Sequence, residues 1–242
     1  MQCSTATKPF SKISVNAMQH ELAVHGLHAR VVPFPVNSTS GCVREPPVGA
    51  LSLLFVGRME NIKGGRLVID AMPTVVNHVR KSVHLVMAGD GRERAHWQQR
   101  AQSVQSSTAN LAVEFTGWVT QERVAALMKQ ATLLVVPSLW PEPLGSVGPA
   151  AGLHGVPAAG FAVGGIQQWL VDGVTGHLAS ANPPTALGLA DAILRCLQDD
   201  GHYRALRRGA RSMAETFTMK RHLPELIAIL RRVAAMPLVQ SA

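Results

Sequence analysis

Two cations five residues apart, Arg58 and Lys63, stand in the run Phe55-Val56-Gly57-Arg58-Met59-Glu60-Asn61-Ile62-Lys63-Gly64-Gly65. A guanidinium grips oxyanion oxygens as a planar fork and an ammonium acts as a mobile point charge, so the pair suits a phosphorylated ligand. By spacing alone, two surface cations on a loop fit equally well. Gly57, at the end of an apolar run, lets the backbone turn tightly there. A second stretch carries complementary chemistry: Pro137-Ser138-Leu139-Trp140-Pro141-Glu142-Pro143-Leu144-Gly145-Ser146-Val147-Gly148-Pro149-Ala150. After its proline- and glycine-rich turn, small residues resume at helical spacing through Gly155. The first amides of a helix have no partner within it, so those of Leu144, Gly145, Ser146 and Val147 form a cradle for a phosphate. Glu142 stands at the lip of that cradle. A carboxylate there is badly placed to bind phosphate and well placed to accept hydrogen bonds from hydroxyl groups.

Such groups need a scaffold, and the chain supplies one in regular alternation. Short apolar runs at Leu51 to Val56, Val83 to Ala88, Val113 to Thr116, Thr132 to Val136, Val156 to Phe161 and Val174 to Ala179 read as strands. Between and after them, helical patterns run from Gly64 to Arg80, up to about Gln105, and over Gln121 to Gln130, Thr185 to Leu197, His202 to Glu215 and Lys220 to Ala235. Pro73 is expected to kink or divide the first. The alternation predicts right-handed βαβ units: an α/β fold, a single Rossmann-like domain with a parallel sheet and helices on both faces. In such a sheet, ligands bind just beyond the carboxyl ends of the strands. Upstream, a helix over Ser14 to His25, a short strand over Ala29 to Pro33 and a linker-like segment over 37 to 49 precede this unit. The chain therefore divides into an N-terminal segment and linker, 1–48, the Rossmann-like domain, 49–235, and a tail, 236–242.

The 242 residues, 47% of them hydrophobic, suffice for a sizeable core. No apolar run approaches the roughly 18 to 20 residues that span a bilayer, and the first residues lack the apolar block of a secretory signal. Cys3, Cys42 and Cys196 are odd in number, far apart and without metal-ligand spacing, which suits a reduced, cytoplasmic chain without disulfides. His20, His25 and His28 have no partner at a metal-like spacing, so no metal is expected. The net charge of +8, much of it arginine near the C-terminus, favours phosphorylated ligands or an anionic membrane surface, or is simply a solvated helix face. Nucleic acid is not expected, because aromatics are only 5% of the chain and few, Tyr203 among them, lie near those arginines.

The two chemical stretches together resemble the family 4 nucleotide-sugar glycosyltransferases of the GT-B fold, and specifically their C-terminal, donor-binding domain. The family's mark is two glutamates with seven residues between them. Glu142 takes the first position, Pro141 and Gly145 fit, and Ala150 stands where the second glutamate belongs. The pattern Gly-Arg, four residues, Lys-Gly at Gly57 to Gly64 matches the family's donor diphosphate site. By the same resemblance Gly117-Trp118-Val119 lines the base, with Trp118 available to stack. Gly164 and Gly165 lie near the donor sugar, although Gln167-Gln168 follows where the family has a glutamate. Asp172-Gly173-Val174-Thr175-Gly176 matches a structural turn.

The resemblance implies transfer of a sugar from a nucleoside diphosphate sugar, with retention, without bound metal and without any cofactor beyond that donor. Arg58, Lys63 and the amides after Glu142 would stabilise the departing diphosphate, and Glu142 would hold sugar hydroxyls. Residues 1–48 would be a remnant of the N-terminal GT-B domain, which in the family supplies the acceptor. Two readings follow: a glycosyltransferase or its donor-binding half, and a catalytically lapsed nucleotide-sugar module acting with a partner chain. The apolar stripe Leu223, Leu226, Ile227, Leu230 and Val233 of the last helix predicts self-association or a companion acceptor-domain chain.

Overall fold

Each of the apolar runs becomes a strand, and the sheet they form explains why the runs are almost uninterrupted. The computed structural model describes residues 32–36 and 49–235. The strands are β1 (Leu51–Val56), β2 (Val83–Ala88), β3 (Leu111–Gly117), β4 (Leu133–Val136), β5 (Ala158–Phe161) and β6 (Gly176–Ala179). They lie in one parallel sheet of order β3-β2-β1-β4-β5-β6. Helices α1 (Gly65–Val79), α2 (Arg94–Ser107), α3 (Gln121–Gln130), α4 (Val147–Gly152), α5 (Ala186–Cys196), α6 (Asp200–Glu215) and α7 (Met219–Ala234) cover it. This is a single six-stranded α/β unit with a parallel sheet, as the alternation predicts.

Successive residues of β1 feed opposite cores, as the pleat requires. Leu53 and Phe55 join Val68, Met72, Trp97 and Ile193 on one side, while Leu54 joins Leu127, Leu134, Trp169 and Phe217 on the other. The central strands β4 and β5 are buried along their whole length, as strands covered on both faces are, whereas edge strand β3 leaves Ala112 and Glu114 exposed. Thr120, Thr185 and Asp199 cap α3, α5 and α6, accepting from the amides of Arg123, Gly188 and His202.

Several boundaries differ from the sequence-based expectation. α1 is one helix with Pro73 inside it, because Val68, Ile69 and Met72 before the proline and Val75 and Val76 after it all bury against the sheet. β6 begins at Gly176 rather than Val174, since the Asp172 carboxylate accepts from the Leu178 amide and Thr175 Oγ1 from the Val171 amide, folding 172–175 into a turn. The helix expected through Gly155 stops at Gly152. Of the expected strand at Ala29 to Pro33, only Val32 and Pro33 are described, and they lie outside any strand. The helix at Ser14 to His25 and most of the linker lie outside the described residues. Among the described residues no helix is long and apolar enough to cross a membrane.

Candidate functional site

The strand order reverses between β1 and β4: β2 and β3 are added on one side of β1, β4 to β6 on the other. At such a switch the connecting loops diverge and leave a crevice at the carboxyl ends of the two strands. A cleft of about 540 Å³ lies there, lined by residues of both strand ends and both loops, with Phe34 and Pro35 joining from the N-terminal segment.

The two loops are tied together before they reach the cleft. The carbonyl of Ile62 accepts from the Leu139 amide at 2.8 Å and from Ser138 Oγ at 3.4 Å. Gly64 has φ of 66°, and a Cβ there would run into the Pro137 carbonyl, so glycine is what lets the β1 loop rest on the end of β4. This docking brings Lys63, at the end of a short 3-10 turn, onto Glu142: Lys63 Nζ donates to Glu142 Oε1, which also accepts from the buried Ser138 Oγ at 2.8 Å. The two groups, separately assigned from sequence to phosphate and hydroxyl, are partners here. An ammonium has three donors, so Lys63 keeps others for a ligand while holding the carboxylate in place.

The loop behind Glu142 is clamped from below. Gly165 N donates to the Glu142 carbonyl at 2.6 Å, Gln168 Nε2 to the Pro143 carbonyl at 3.4 Å and Trp169 Nε1 to the Leu144 carbonyl at 2.7 Å. A Cβ on Gly164 would lie 2.6 Å from Pro141 C, and one on Gly165 would collide with the Pro143 carbonyl. The close approach these two glycines permit is therefore to the Glu142 loop itself, where the sequence suggested approach to a ligand. Beyond the clamp, Gly145 turns with φ of 72° and α4 begins. The amide N–H groups of Leu144, Gly145, Ser146 and Val147 find no acceptor among the described residues, and all four residues line the cleft. With only six residues α4 brings little dipole, so the cradle consists of those amides.

Lys63, Glu142, Leu144, Gly145, Ser146 and Val147 thus come together. Other sequence-selected residues do not line this cleft. Arg58 is 65% exposed and pairs with Glu60 at 3.0 Å. Trp118 is 80% exposed, and Val119 packs partly against the second core cluster. Gly57 N continues the β1–β2 ladder to the Ala88 carbonyl. Ala150, half-buried, packs against the second cluster one turn after Ser146, to which its amide bonds at 3.1 Å. Sequence reasoning missed Ser138, Trp169 and Phe34. Ser138 sat inside the quoted stretch, but its pairing with Glu142 depends on a loop shape with no sequence signature. Trp169 answers to Gly148, where a Cβ would fall within the indole ring, and nothing local announces that contact.

A second hollow of about 580 Å³ lies at the opposite, amino edge of the sheet, near Leu51, Thr132 and Tyr203. Its polar groups serve the fold: Asp199 caps α6, and Tyr203 Oη donates to the Thr132 carbonyl at 2.7 Å.

Comparison with known proteins identifies the family. The family model described as "Glycosyl transferases group 1" matches residues 50–199. A glycogen synthase of Mycobacterium tuberculosis is 32% identical over 190 residues, which are 77% of this chain and 42% of the relative. The sucrose-phosphate synthase of Thermosynechococcus elongatus has a TM-score of 0.71 at 25% identity, over 90% of this chain and 57% of that one. The Anabaena protein HepE, solved in complex with UDP and glucose, has a TM-score of 0.65 at 22% identity, over 78% and 49% of the two chains. The chain spans less than half the length of the curated glycogen synthase and inositol-phosphate glycosyltransferases it matches.

Proposed function

The chain belongs to the group 1 glycosyl transferases, and from that premise we propose that its carboxyl-edge cleft binds a nucleoside diphosphate sugar and acts as the donor half of a retaining, metal-independent glycosyl transfer. The observation that carries this reading is the convergence of four amides without a partner among the described residues, Leu144 to Val147, with the Lys63–Glu142 pair over one cleft. As the bond between anomeric carbon and diphosphate lengthens, negative charge gathers on the departing phosphate oxygen. Donors already aimed at that position stabilise it without reorganising. Lys63 supplies the cation, and Glu142, steadied by Ser138, accepts from sugar hydroxyls. That HepE was solved with UDP and glucose supports the same class of donor.

A second reading, a nucleotide-sugar module that has lost transfer and works with another chain, is favoured by one feature: Ala150 offers no polar atom where the family has a ribose-binding carboxylate. Under either reading, the exposed apolar stripe of α7 is a surface that a second copy or a companion chain covers. Titration with UDP, GDP, ADP and their sugar derivatives tests the site. On either reading, amide resonances of Leu144 to Val147 shift on addition of nucleotide in a ¹⁵N-labelled sample. Shifts confined to the amino edge around Tyr203 would overturn the placement.

A further inference from the structure

We propose that Phe34 is a platform for the pyranose ring of the donor, turning its apolar C–H face toward the cleft wall while Glu142 takes the hydroxyls. This rests on the reading of the cleft as a nucleotide-sugar site. Two aromatic rings line the cleft among the described residues. Phe55 is buried in the core beneath it, whereas Phe34 is 80% exposed. Among the described residues this large apolar side chain lies exposed in the same cleft as a charged pair and amides without a partner.

The backbone around Phe34 is, by contrast, held on both sides. His222 Nδ1 bonds the Pro33 carbonyl at 2.9 Å, Val36 N donates to the Phe217 carbonyl at 2.7 Å, and Val36 forms a parallel bridge with Thr218 and is buried. Those anchors fix the strut to the α6–α7 junction, and the two residues between them, Phe34 and Pro35, both line the cleft. Pro35, with its restricted φ, stiffens the step from Phe34 to the buried Val36. A ring carried on an anchored backbone costs less entropy to engage, and a phenyl offers no hydrogen bond, so it suits an apolar face of a nucleotide sugar, such as the C–H face of the pyranose. The uracil or guanine base also has an apolar face. The phosphate cradle decides between them, because Phe34 shares its cleft with Glu142 and Lys63, whereas the exposed Trp118 lies outside it.

The test compares nucleotide with nucleotide sugar, using UDP against UDP-glucose and GDP against GDP-mannose by calorimetry, on wild type, Phe34→Ala, Phe34→Trp and Lys63→Ala. Because Phe34 is solvent-exposed, its replacement leaves the core intact. Phe34→Ala is expected to weaken the sugar nucleotide about tenfold while leaving the bare nucleotide within about twofold, and Phe34→Trp to restore the difference. Equal weakening of both ligands, or none, in both pairs overturns the platform. Lys63→Ala separates the two ideas: it weakens nucleotide and sugar nucleotide alike if the cleft is the donor site. If it moves neither, the site assignment fails and Phe34 falls with it.

Discussion

Lys63 and Arg58 look equivalent on paper, two cations on one loop, yet they occupy different worlds. Lys63 is largely buried, bonded to Glu142 and in the cleft; Arg58 lies out in solvent on Glu60. A hydrogen bond to a charged group is worth about 1.5–3 kcal/mol, whereas an exposed ion pair is worth about 0–1. Lys63→Ala should therefore raise the Kd for a nucleoside diphosphate about tenfold to a hundredfold, and Arg58→Ala no more than about fivefold. Calorimetry on the two single variants reads this directly. A larger effect at Arg58 would mean that its side chain leaves Glu60 and joins the ligand. Ala150→Glu probes the neighbouring helix: a carboxylate there should gain about 1.5–3 kcal/mol for UDP by accepting from the ribose hydroxyls. The same variant should gain little for 2′-deoxy-UDP. Equal gains for both would put residue 150 away from the ribose. Because Ala150 already packs against the second core cluster, the longer side chain must leave through the half-exposed side.

Local pattern was enough to place the sheet and most helices, because each strand is a short apolar run and each helix a periodic one. What it did not show were contacts between distant loops. The Gly164 to Gln168 turn beneath Glu142, Trp169 against Gly148 and Ser138 beside Glu142 join segments that the fold alone brings together. Among such non-local contacts is a polar cluster linking β6 to α5 and α6. His177 Nδ1 is 3.1 Å from Asp172 Oδ1 and its Nε2 is 2.9 Å from His202 Nε2, with Arg195 alongside. Burial above all, then Arg195 and His202, holds the buried His177 below the ordinary histidine value of 6.5, against the upward pull of Asp172. His154, whose Nδ1 is buried without a partner among the described residues, is likewise depressed by burial, Lys129 and Arg211. Both are neutral when folded, so the unfolded chain binds protons first as pH falls. Their stabilisation is complete above about pH 6.5 and is lost on acidification through the folded values. Asp172 is affected differently. Burial alone would raise its carboxyl, but the Leu178 amide, His177 and Arg195 outweigh that and lower it beneath 3.8, so its contribution fades only in stronger acid. Urea midpoints should therefore fall between pH 7.5 and 5.5, and less so in His154→Leu. A midpoint that rises on acidification would contradict these environments.

Beyond the cleft, the largest unsatisfied feature is α7. None of its residues is buried, and Met219, Leu223, Ile227, Leu230 and Val233 form an exposed apolar stripe along it at helical spacing. The opposite side of the helix carries Arg221 and Arg232, and Lys220 and Arg231 flank the stripe at about 100° per residue. Contiguous apolar surface of this kind tends to be covered by a partner. Two copies meeting through α7 would cover it, but each brings a net charge of +8 and rows of cations beside the contact. Apolar burial favours association while like-charge repulsion opposes it, and salt screens only the second, over a Debye length of about 10 Å at 0.1 M. The expected result is self-association that strengthens as ionic strength rises, the reverse of an assembly held by ion pairs. Light scattering over a concentration series at 0.05 and 0.5 M salt measures it, and Leu223→Glu with Leu230→Glu should abolish it without moving nucleotide affinity, since neither residue lines the cleft. A strictly monomeric chain at both salts would assign the stripe to a companion chain, and dimers that dissolve at high salt would assign the contact to charges elsewhere on the surface.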